Sequence, residues 1–321
     1  MNPALALDAD ARSQSPGQLA WLRYCKNRLA LVSGLTLLAL VLLILIGPAL
    51  MAYEPNALSE HQFAAPSAAH WLGTDDHGRD LLVRVLFGAR ISLLVGLVGA
   101  GVSLVIGVLW GAVAGYAGGR LDNAMMRTVD VLYSLPSIVF VIVLITTLEA
   151  LFKNWLAGMG SPALASASRL LLLFVGLGAV SWLTMARIVR GQVLSLRKKA
   201  FIEAGHALGI SNTRILLRHI LPNVTGIVIV YLALTIPSII LYESFLSYLG
   251  LGIQPPQASL GSLIAAGAGQ INPIRIYWWM IVFPAGFLGL TLLALNFFGD
   301  GLRRARPEER VSTLASDGRR D

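Results

Sequence analysis

The chain has 321 residues, of which 56% are hydrophobic and 13% are charged, whereas soluble domains average about 45–50% and about 25%. With a mean hydropathy of +0.71, this composition excludes a soluble globular fold and predicts several membrane spans. The net charge of +8 does not indicate nucleic-acid binding, because the basic residues cluster at the ends of apolar runs without interleaved aromatic residues. The single cysteine, Cys25, excludes an internal disulfide.

Six apolar segments are long enough to cross a bilayer as helices, which takes about 20 residues each. They lack the period-two alternation of barrel strands, so the predicted fold is an all-α membrane protein. The polar residues 1–28 are too long for the leading region of a signal peptide, and we interpret the first apolar run as a retained anchor. We expect Pro136, Pro237 and Pro284 to lie inside spans. The segments are 29–51, 91–114, 129–151, 170–190, 224–247 and 277–298.

The loops between these segments differ in basic charge. Loops on the side of both termini hold 19 Lys and Arg residues, and those on the opposite side hold 6. Basic residues accumulate in cytoplasmic loops, so we expect both termini and the loop 187–222 to face the cytoplasm. The alternative is an inverted topology.

The external loop before the second span is rich in polar residues. We find no ligand spacing typical of a metal site there, so we predict none and expect these side chains to face water. The residues are His61, His70, Asp75, Asp76 and His77.

The second span carries a small residue at every fourth position, which forms a stripe along one side of a helix. Such a stripe lets another backbone approach closely, and we interpret it as a packing surface. A pore-lining or gating role is the alternative. Its members are Gly99, Ser103, Gly107, Gly111 and Gly115.

Charged residues near the cytoplasmic loop 115–128 are interpreted as solvated or paired interface residues. Contact with a cytoplasmic partner is the alternative. They are Asp122, Arg127 and Asp130.

Residues 197–222 form a long, charged connection between the fourth and fifth spans. The first half has helix-forming composition, and Gly209 can take the left-handed conformation that ends a helix. Ser211 is a suitable N-cap for a second short helix, and Pro222 opens the next span. The prediction is two short helices joined at an elbow on the cytoplasmic face. Its small residues fit the groove of a soluble protein, and an amphipathic hairpin resting on lipid headgroups is the alternative.

Glu243 is the best candidate for an ionisable residue inside a span, which is a functional hypothesis by default. It follows Asn223 by 20 residues, or about 30 Å of helix, which puts it near the outer interface. We therefore favour a wet or paired external glutamate that could line the outer mouth of a transport path. A role in ion coupling is the alternative.

The stretch "EAGHALG", followed by nine residues and "HILPN", resembles the EAA signature of bacterial ABC-importer permeases. Gly205 replaces the second alanine of that signature, and His219 stands where isoleucine is usual. The "HILPN" ending is similar to the peptide-importer branch of the family. The positions in register are Glu203, Ala204, Gly209, Leu221 and Pro222.

Three other stretches are similar to the same branch. They are "LGTDDHGRDLLVRVLFGARISLLVG" at 72–96, the segment 221–256, and "LNFFGDGLRRARPE" at 295–308, where Arg304 replaces the usual acid. The segment 221–256 most closely resembles the second, C-type permease subunit of oligopeptide importers. The resemblance covers nearly the whole chain after residue 28.

This resemblance implies a type I ABC importer permease fold in the bacterial inner membrane, with six transmembrane helices and a cytoplasmic coupling hairpin. It implies a heterodimer with a homologous permease subunit, two ATPase subunits that bind ATP and Mg, an external solute-binding protein and a peptide substrate. It also implies a segment 1–90 with the first span and external loop, a permease domain 91–302 with the hairpin at 197–222, and a cytoplasmic tail 303–321. The residues it assigns to the ATPase contact are Glu203, Ala204, Gly205, His206, Gly209, Leu221 and Pro222.

The sequence contains no Gly-x-x-x-x-Gly-Lys-Ser/Thr loop that could hold ATP phosphates, since none of its four lysines follows a glycine. We therefore expect no cofactor and no enzymatic activity in this chain. Alternatives are an ion-coupled secondary transporter that uses Glu243, a membrane scaffold that docks a soluble partner, and an importer of this branch that carries nickel or another cargo. A secondary transporter commonly shows inverted repeats, and we find no convincing repeat.

Overall fold

The computed structural model describes residues 16–51, 53–158, 168–271, 273 and 275–305, so most of the predicted tail 303–321 lies outside the described residues. Within those ranges, six helices are long and apolar enough to cross a membrane, which confirms the predicted number. The helices in chain order are α1 (Pro16–Lys26), α2 (Arg28–Leu50), α3 (Leu81–Ala117), α4 (Gly119–Tyr133), α5 (Ser137–Gly158), α6 (Ser168–Arg197), α7 (Ala200–Ala207), α8 (Asn212–Ile215), a π-helical turn (Leu216–Ile220), α9 (Leu221–Tyr248), α10 (Leu260–Gly269) and α11 (Trp279–Ala305).

The second membrane helix, α3, begins ten residues earlier than the predicted start at 91. Asp80 is its N-cap, and the Val83 amide donates to the Asp80 carboxylate at 3.0 Å. This cap satisfies one of the amides that a helix start leaves unpaired. The predicted domain boundary at residue 91 therefore falls inside a continuous helix.

The third membrane helix, α5, begins at Ser137 instead of 129, because the preceding residues form the separate helix α4. Pro136 lies in the short connection between α4 and α5, so the expectation that Pro136 lies inside a span is wrong. A proline disfavours helical geometry in the residue before it, which accounts for the break. Pro237 and Pro284 do lie inside α9 and α11, as predicted.

The small-residue stripe of α3 lies in the largest helix–helix contact of the described chain, between α3 and α6. A Cβ added at Gly107 would stand 2.6 Å from the Met185 Cβ, and one at Gly115 would stand 2.9 Å from the Arg190 carbonyl oxygen. All five stripe residues are buried. The small size of these residues permits the close approach of the two backbones.

The loop 53–80, which the sequence predicts to be external, folds onto the N-terminal ends of α3 and α11. The His70 Nδ1 lies 2.9 Å from the Asp80 carboxylate, and the Trp279 indole N–H donates to the Thr74 carbonyl at 3.2 Å. His70 and Asp75 are 7% and 3% exposed. The expectation that the polar residues of this loop face water is thus wrong for both, because they hold the loop together.

Asp75, Asp76 and His77 bring one ligand atom each within 4.8 Å of one another. The Asp75 carboxylate, however, already accepts from Arg79 Nε at 2.7 Å and Arg84 Nη1 at 3.0 Å. It also accepts the backbone amides of His77 and Arg79. Four donors fill the acceptor sites of one carboxylate, so Asp75 is the centre of an ion-pair network that joins the loop to α3.

Helix α4 is attached to α6 by two ion pairs on the predicted cytoplasmic side. The Arg190 guanidinium donates twice to the buried Asp122 carboxylate, at 2.6 and 2.8 Å. The more exposed Arg187 donates to Asp130 at 2.7 Å. Asp122 and Asp130 are therefore paired residues, one of the two interpretations that their sequence context left open.

Candidate functional sites

Helix α7 ends in a complete Schellman motif. Gly209 has φ +75°, which confirms the predicted left-handed conformation. The Gly209 amide donates to the His206 carbonyl at 3.0 Å, and the Ile210 amide donates to the Gly205 carbonyl at 3.1 Å. These two bonds satisfy carbonyls that the helix end would otherwise leave unpaired, and they fix the direction in which the chain leaves α7.

The hairpin is attached to the membrane helices by three isoleucines. Ile202 of α7 is 2% exposed, and Ile215 and Ile220 beyond the elbow are fully buried. All three pack in one cluster with Val189 and Val193 of α6. Burying a side chain of this size contributes about 1.5–3 kcal/mol, so the hairpin is held as part of the fold.

The opposite face of α7 has no cover in the described chain. Glu203, Ala204, His206 and Ala207 are exposed, and Leu208 is 81% exposed. The structure thus brings three of the seven predicted ATPase-contact residues, Glu203, Ala204 and His206, onto one exposed surface. We call this surface of Glu203, Ala204, His206, Ala207 and Leu208 the α7 face.

The second half of the hairpin, which begins at Asn212, was predicted to be a separate short helix, and the structure differs. Residues Asn212–Tyr248 form one continuous helical segment that passes through the π-helical turn into α9. Pro222 lacks an amide hydrogen, and its ring crowds the preceding helical turn. The wider π turn just before it accommodates this change, and such turns are frequent at functional sites.

Leu221 and Pro222 lie at the foot of α9, beyond the π turn and apart from the α7 face. Leu221 is half-buried against the cluster that holds the hairpin, whereas Pro222 is exposed. The Asn223 side-chain amide donates to the His219 carbonyl at 2.6 Å. The sequence pattern assigned no role to Asn223. In the structure its side chain satisfies the His219 carbonyl, three residues before Pro222.

Two further polar residues of the hairpin region were missed by sequence reasoning. The Tyr116 hydroxyl donates to the Asn212 side-chain oxygen at 2.9 Å and lies 3.4 Å from His206 Nε2. Tyr116 stands at the C-terminal end of α3, 90 residues before His206 in the chain. No local pattern links positions so far apart, and only the packing of α3 against the hairpin reveals the contact.

Glu243 lies near the C-terminal end of α9 and is fully buried. Its carboxylate accepts from the Ser247 hydroxyl at 2.6 Å and from the Ser92 hydroxyl of α3 at 2.9 Å. The Ser244 hydroxyl lies within 3.4 Å. The glutamate is therefore paired, as one of the two expectations had it, and the expectation that water surrounds its carboxylate is wrong.

The same serine cluster extends to the start of α10. The Leu260 amide lies 3.4 Å from the Ser92 hydroxyl, next to the capping box that Ser259 and Ser262 form at the start of α10. Glu243 thereby ties together α3, α9 and α10. Its side chain is fully buried in this arrangement, and its place in a transport path stays a prediction.

Comparison with known proteins gives two family matches. Residues 107–305 match the family described as "Binding-protein-dependent transport system inner membrane component". Residues 15–67 match "N-terminal TM domain of oligopeptide transport permease C". The two matches together cover most of the chain.

Individual relatives are similar over nearly their whole length. The oligopeptide transport system permease protein OppC of Escherichia coli (strain K12) is 44% identical over 302 residues, which are 92% of each chain. The dipeptide transport system permease protein DppC of Bacillus subtilis (strain 168) is 42% identical over 295 residues, covering 91% of this chain and 86% of that protein.

A solved structure with the same architecture is the MetNI methionine ABC transporter in inward-facing conformations. The similarity has a TM-score of 0.51 at 19% identity, and it covers 70% of this chain and 97% of the other. At this identity the match supports the fold alone.

Proposed function

The chain belongs to the family of binding-protein-dependent transport system inner membrane components, and from that membership we propose that it is the permease subunit of an ATP-driven peptide importer in the bacterial inner membrane. The observation that carries the proposal is the pair of relatives at 44% and 42% identity, which are named for oligopeptide and dipeptide transport. ATP and Mg would bind to separate ATPase subunits, because this chain has no phosphate-binding loop.

The α7 face is the part of the chain that we assign to the ATPase contact. Two properties support this assignment: the face is exposed, and the buried isoleucines and the Schellman motif hold its backbone in one orientation. The α7 face can transmit a movement of the ATPase subunit to the membrane helices only if the backbone of α7 does not deform. Gly209 then acts as a positioning residue, since its left-handed conformation shapes the end of α7.

The remaining partners follow from the family. We propose a second, homologous permease subunit, two ATPase subunits, an external solute-binding protein and a peptide as cargo, with nickel or another small cargo as the alternative. The cargoes are distinguished by measuring the uptake of a labelled peptide while unlabelled tripeptides, dipeptides or Ni²⁺ compete with it. Displacement by Ni²⁺ but by no peptide would contradict the peptide assignment.

The orientation can be measured by cysteine labelling in a Cys25→Ser background. Ala69 and Leu208 are both exposed, and the 19-to-6 basic asymmetry predicts that they lie on opposite sides of the membrane. We expect a membrane-impermeant maleimide to label Ala69→Cys in intact spheroplasts, and Leu208→Cys only after permeabilisation. The reverse pattern would exclude a cytoplasmic partner for the α7 face.

The energy source is tested with the complete transporter in proteoliposomes. We expect peptide uptake to require ATP on the α7 side and to persist when an uncoupler collapses the proton gradient. Glu243→Gln keeps one carbonyl oxygen as an acceptor for the serine cluster, so we expect it to retain most uptake. Loss of uptake with the uncoupler at high ATP, together with loss in Glu243→Gln, would favour the ion-coupled transporter.

A further inference from the structure

An apolar crevice of about 390 Å³ lies between α2, α3, α9 and α11. Of its twelve lining side chains, eleven are apolar and the twelfth is Arg90. Leu45, Leu94 and Leu97 on its walls are roughly half exposed, so the crevice opens at the surface of the helix bundle. Since these four helices cross the membrane, the opening faces the bilayer or a neighbouring chain.

Arg90 stands at the outer end of this crevice. It lies nine residues into α3, next to the start of the apolar segment at 91, and Leu97 is about 10 Å further inward along the helix. Among the described residues, the exposed Arg90 makes no hydrogen bond or ion pair. Arg84 on the same helix is instead paired with Asp75 at 3.0 Å.

We propose that this crevice binds an anionic phospholipid, with one acyl chain along its apolar walls and the phosphate on Arg90. A single chain fills one leaflet, which is half of the roughly 30 Å hydrocarbon core. That length matches a crevice that starts at the headgroup level and runs inward past Leu97. The planar guanidinium of Arg90 can donate two parallel hydrogen bonds to a phosphate. An anionic headgroup would therefore supply the negatively charged partner that Arg90 does not find among the described residues.

The alternative occupant, a helix of a neighbouring chain, fits less well. A helix with its side chains is about 10 Å across. A crevice of about 390 Å³ holds only a short piece of a cylinder of that diameter. An apolar helix in the crevice would also leave the Arg90 guanidinium without an anionic partner. The apolar walls and the single arginine of the crevice instead fit an acyl chain and a phosphate.

Native mass spectrometry of the purified transporter tests the proposal. Phosphatidylglycerol and phosphatidylcholine with identical acyl chains are added in mild detergent, and the bound copies are counted. We expect the intact protein to retain phosphatidylglycerol preferentially, and Arg90→Gln to lower that preference roughly tenfold, as for the loss of a charge-assisted hydrogen bond. Arg90→Lys should keep much of it. Arg120→Gln on α4 is the matched control for loss of one exposed arginine, and it should change nothing.

A second pair of variants tests the shape of the crevice. Leu97→Trp narrows it at a half-exposed position without touching Arg90, and we expect one bound lipid per chain to be lost. Leu94→Cys in a Cys25→Ser background should not cross-link to another subunit. Equal retention of both lipids by the intact protein and by Arg90→Gln would overturn the proposal. Efficient cross-linking from position 94 to a neighbouring chain would do the same.

Discussion

Gly209→Val is expected to abolish peptide uptake while the chain still inserts in the membrane. The residue has φ +75° and no neighbouring atom within 4 Å of a built Cβ, so the damage comes from backbone strain and not from a clash. Holding a β-branched residue in the left-handed region costs roughly 1–2 kcal/mol or more. The valine relieves this strain by leaving that region, which breaks the Schellman bonds and turns the α7 face away from its partner. The measurement is uptake in proteoliposomes, with membrane insertion checked on the same preparations.

Two variants of the same segment serve as controls. Gly209→Asn introduces a residue that enters the left-handed region readily, and it should keep most uptake. Gly205→Ala places a methyl group 3.6 Å from Ile215 Cδ1, which is an ordinary contact, and it should also be active. If Gly209→Val transports as well as Gly209→Asn, the elbow has no part in coupling.

Charge reversal at Glu203 tests the proposed contact with the ATPase subunit without changing the backbone of the hairpin. Glu203 is exposed and forms no ion pair among the described residues, so Glu203→Lys leaves the fold unchanged. It should still prevent uptake, while peptide capture by the binding protein continues. Cross-linking from His206→Cys to the ATPase subunit should weaken in Glu203→Lys and in Gly209→Val. Normal cross-linking and uptake in both would return the hairpin to the lipid-surface interpretation.

Gly111→Leu should prevent the chain from reaching a stable folded state. A Cβ at this position meets the Ala186 carbonyl oxygen closer than van der Waals contact allows, and it stands 2.9 Å from the Val189 Cβ. Neither atom is the end of a flexible side chain. The leucine must therefore push α6 away from α3, and that separation opens the largest helix–helix contact of the described chain.

The matched control for this variant lies on the same helix. Gly101 has nothing within 4 Å of a built Cβ, so Gly101→Leu adds the same side chain without a collision. We expect monodisperse protein after detergent extraction for Gly101→Leu, and aggregated or proteolysed protein for Gly111→Leu. Equal yield and equal protease resistance of the two variants would show that the stripe is not a packing surface.

The sequence was most informative where local chemistry determines the structure. Runs of apolar residues identify spans because a buried backbone in lipid has to be helical, and all six were found. The left-handed Gly209 was predictable for a similar reason, since a glycine after a helix-forming run is a common stop signal. In both cases the relevant residues are neighbours in the chain.

Features that depend on distant partners were not predictable. Glu243 looked accessible because its depth alone could be estimated, whereas its burial depends on Ser92, 151 residues away. His70 and Asp75 looked solvated because the folding of the external loop onto Trp279 and Arg84 has no local signal. The extra turns at the start of α3 likewise extend beyond the lipid, where hydropathy gives no information.

The continuity of Asn212–Tyr248 has a mechanical consequence. Its 37 residues make a rod of about 55 Å, with the elbow of the hairpin at one end and Glu243 near the other. A rod of this length is a lever: a tilt of roughly 10° about its middle moves the two ends by roughly 5 Å in opposite directions. With the proposed coupling role, a push on the α7 face would be delivered at the far end of the rod, where Glu243 is bonded to α3 through Ser92. Two features interrupt the regular hydrogen bonding of this rod, the π-helical turn and Pro237 inside α9, so the stiffness at these two points sets how much of the push arrives.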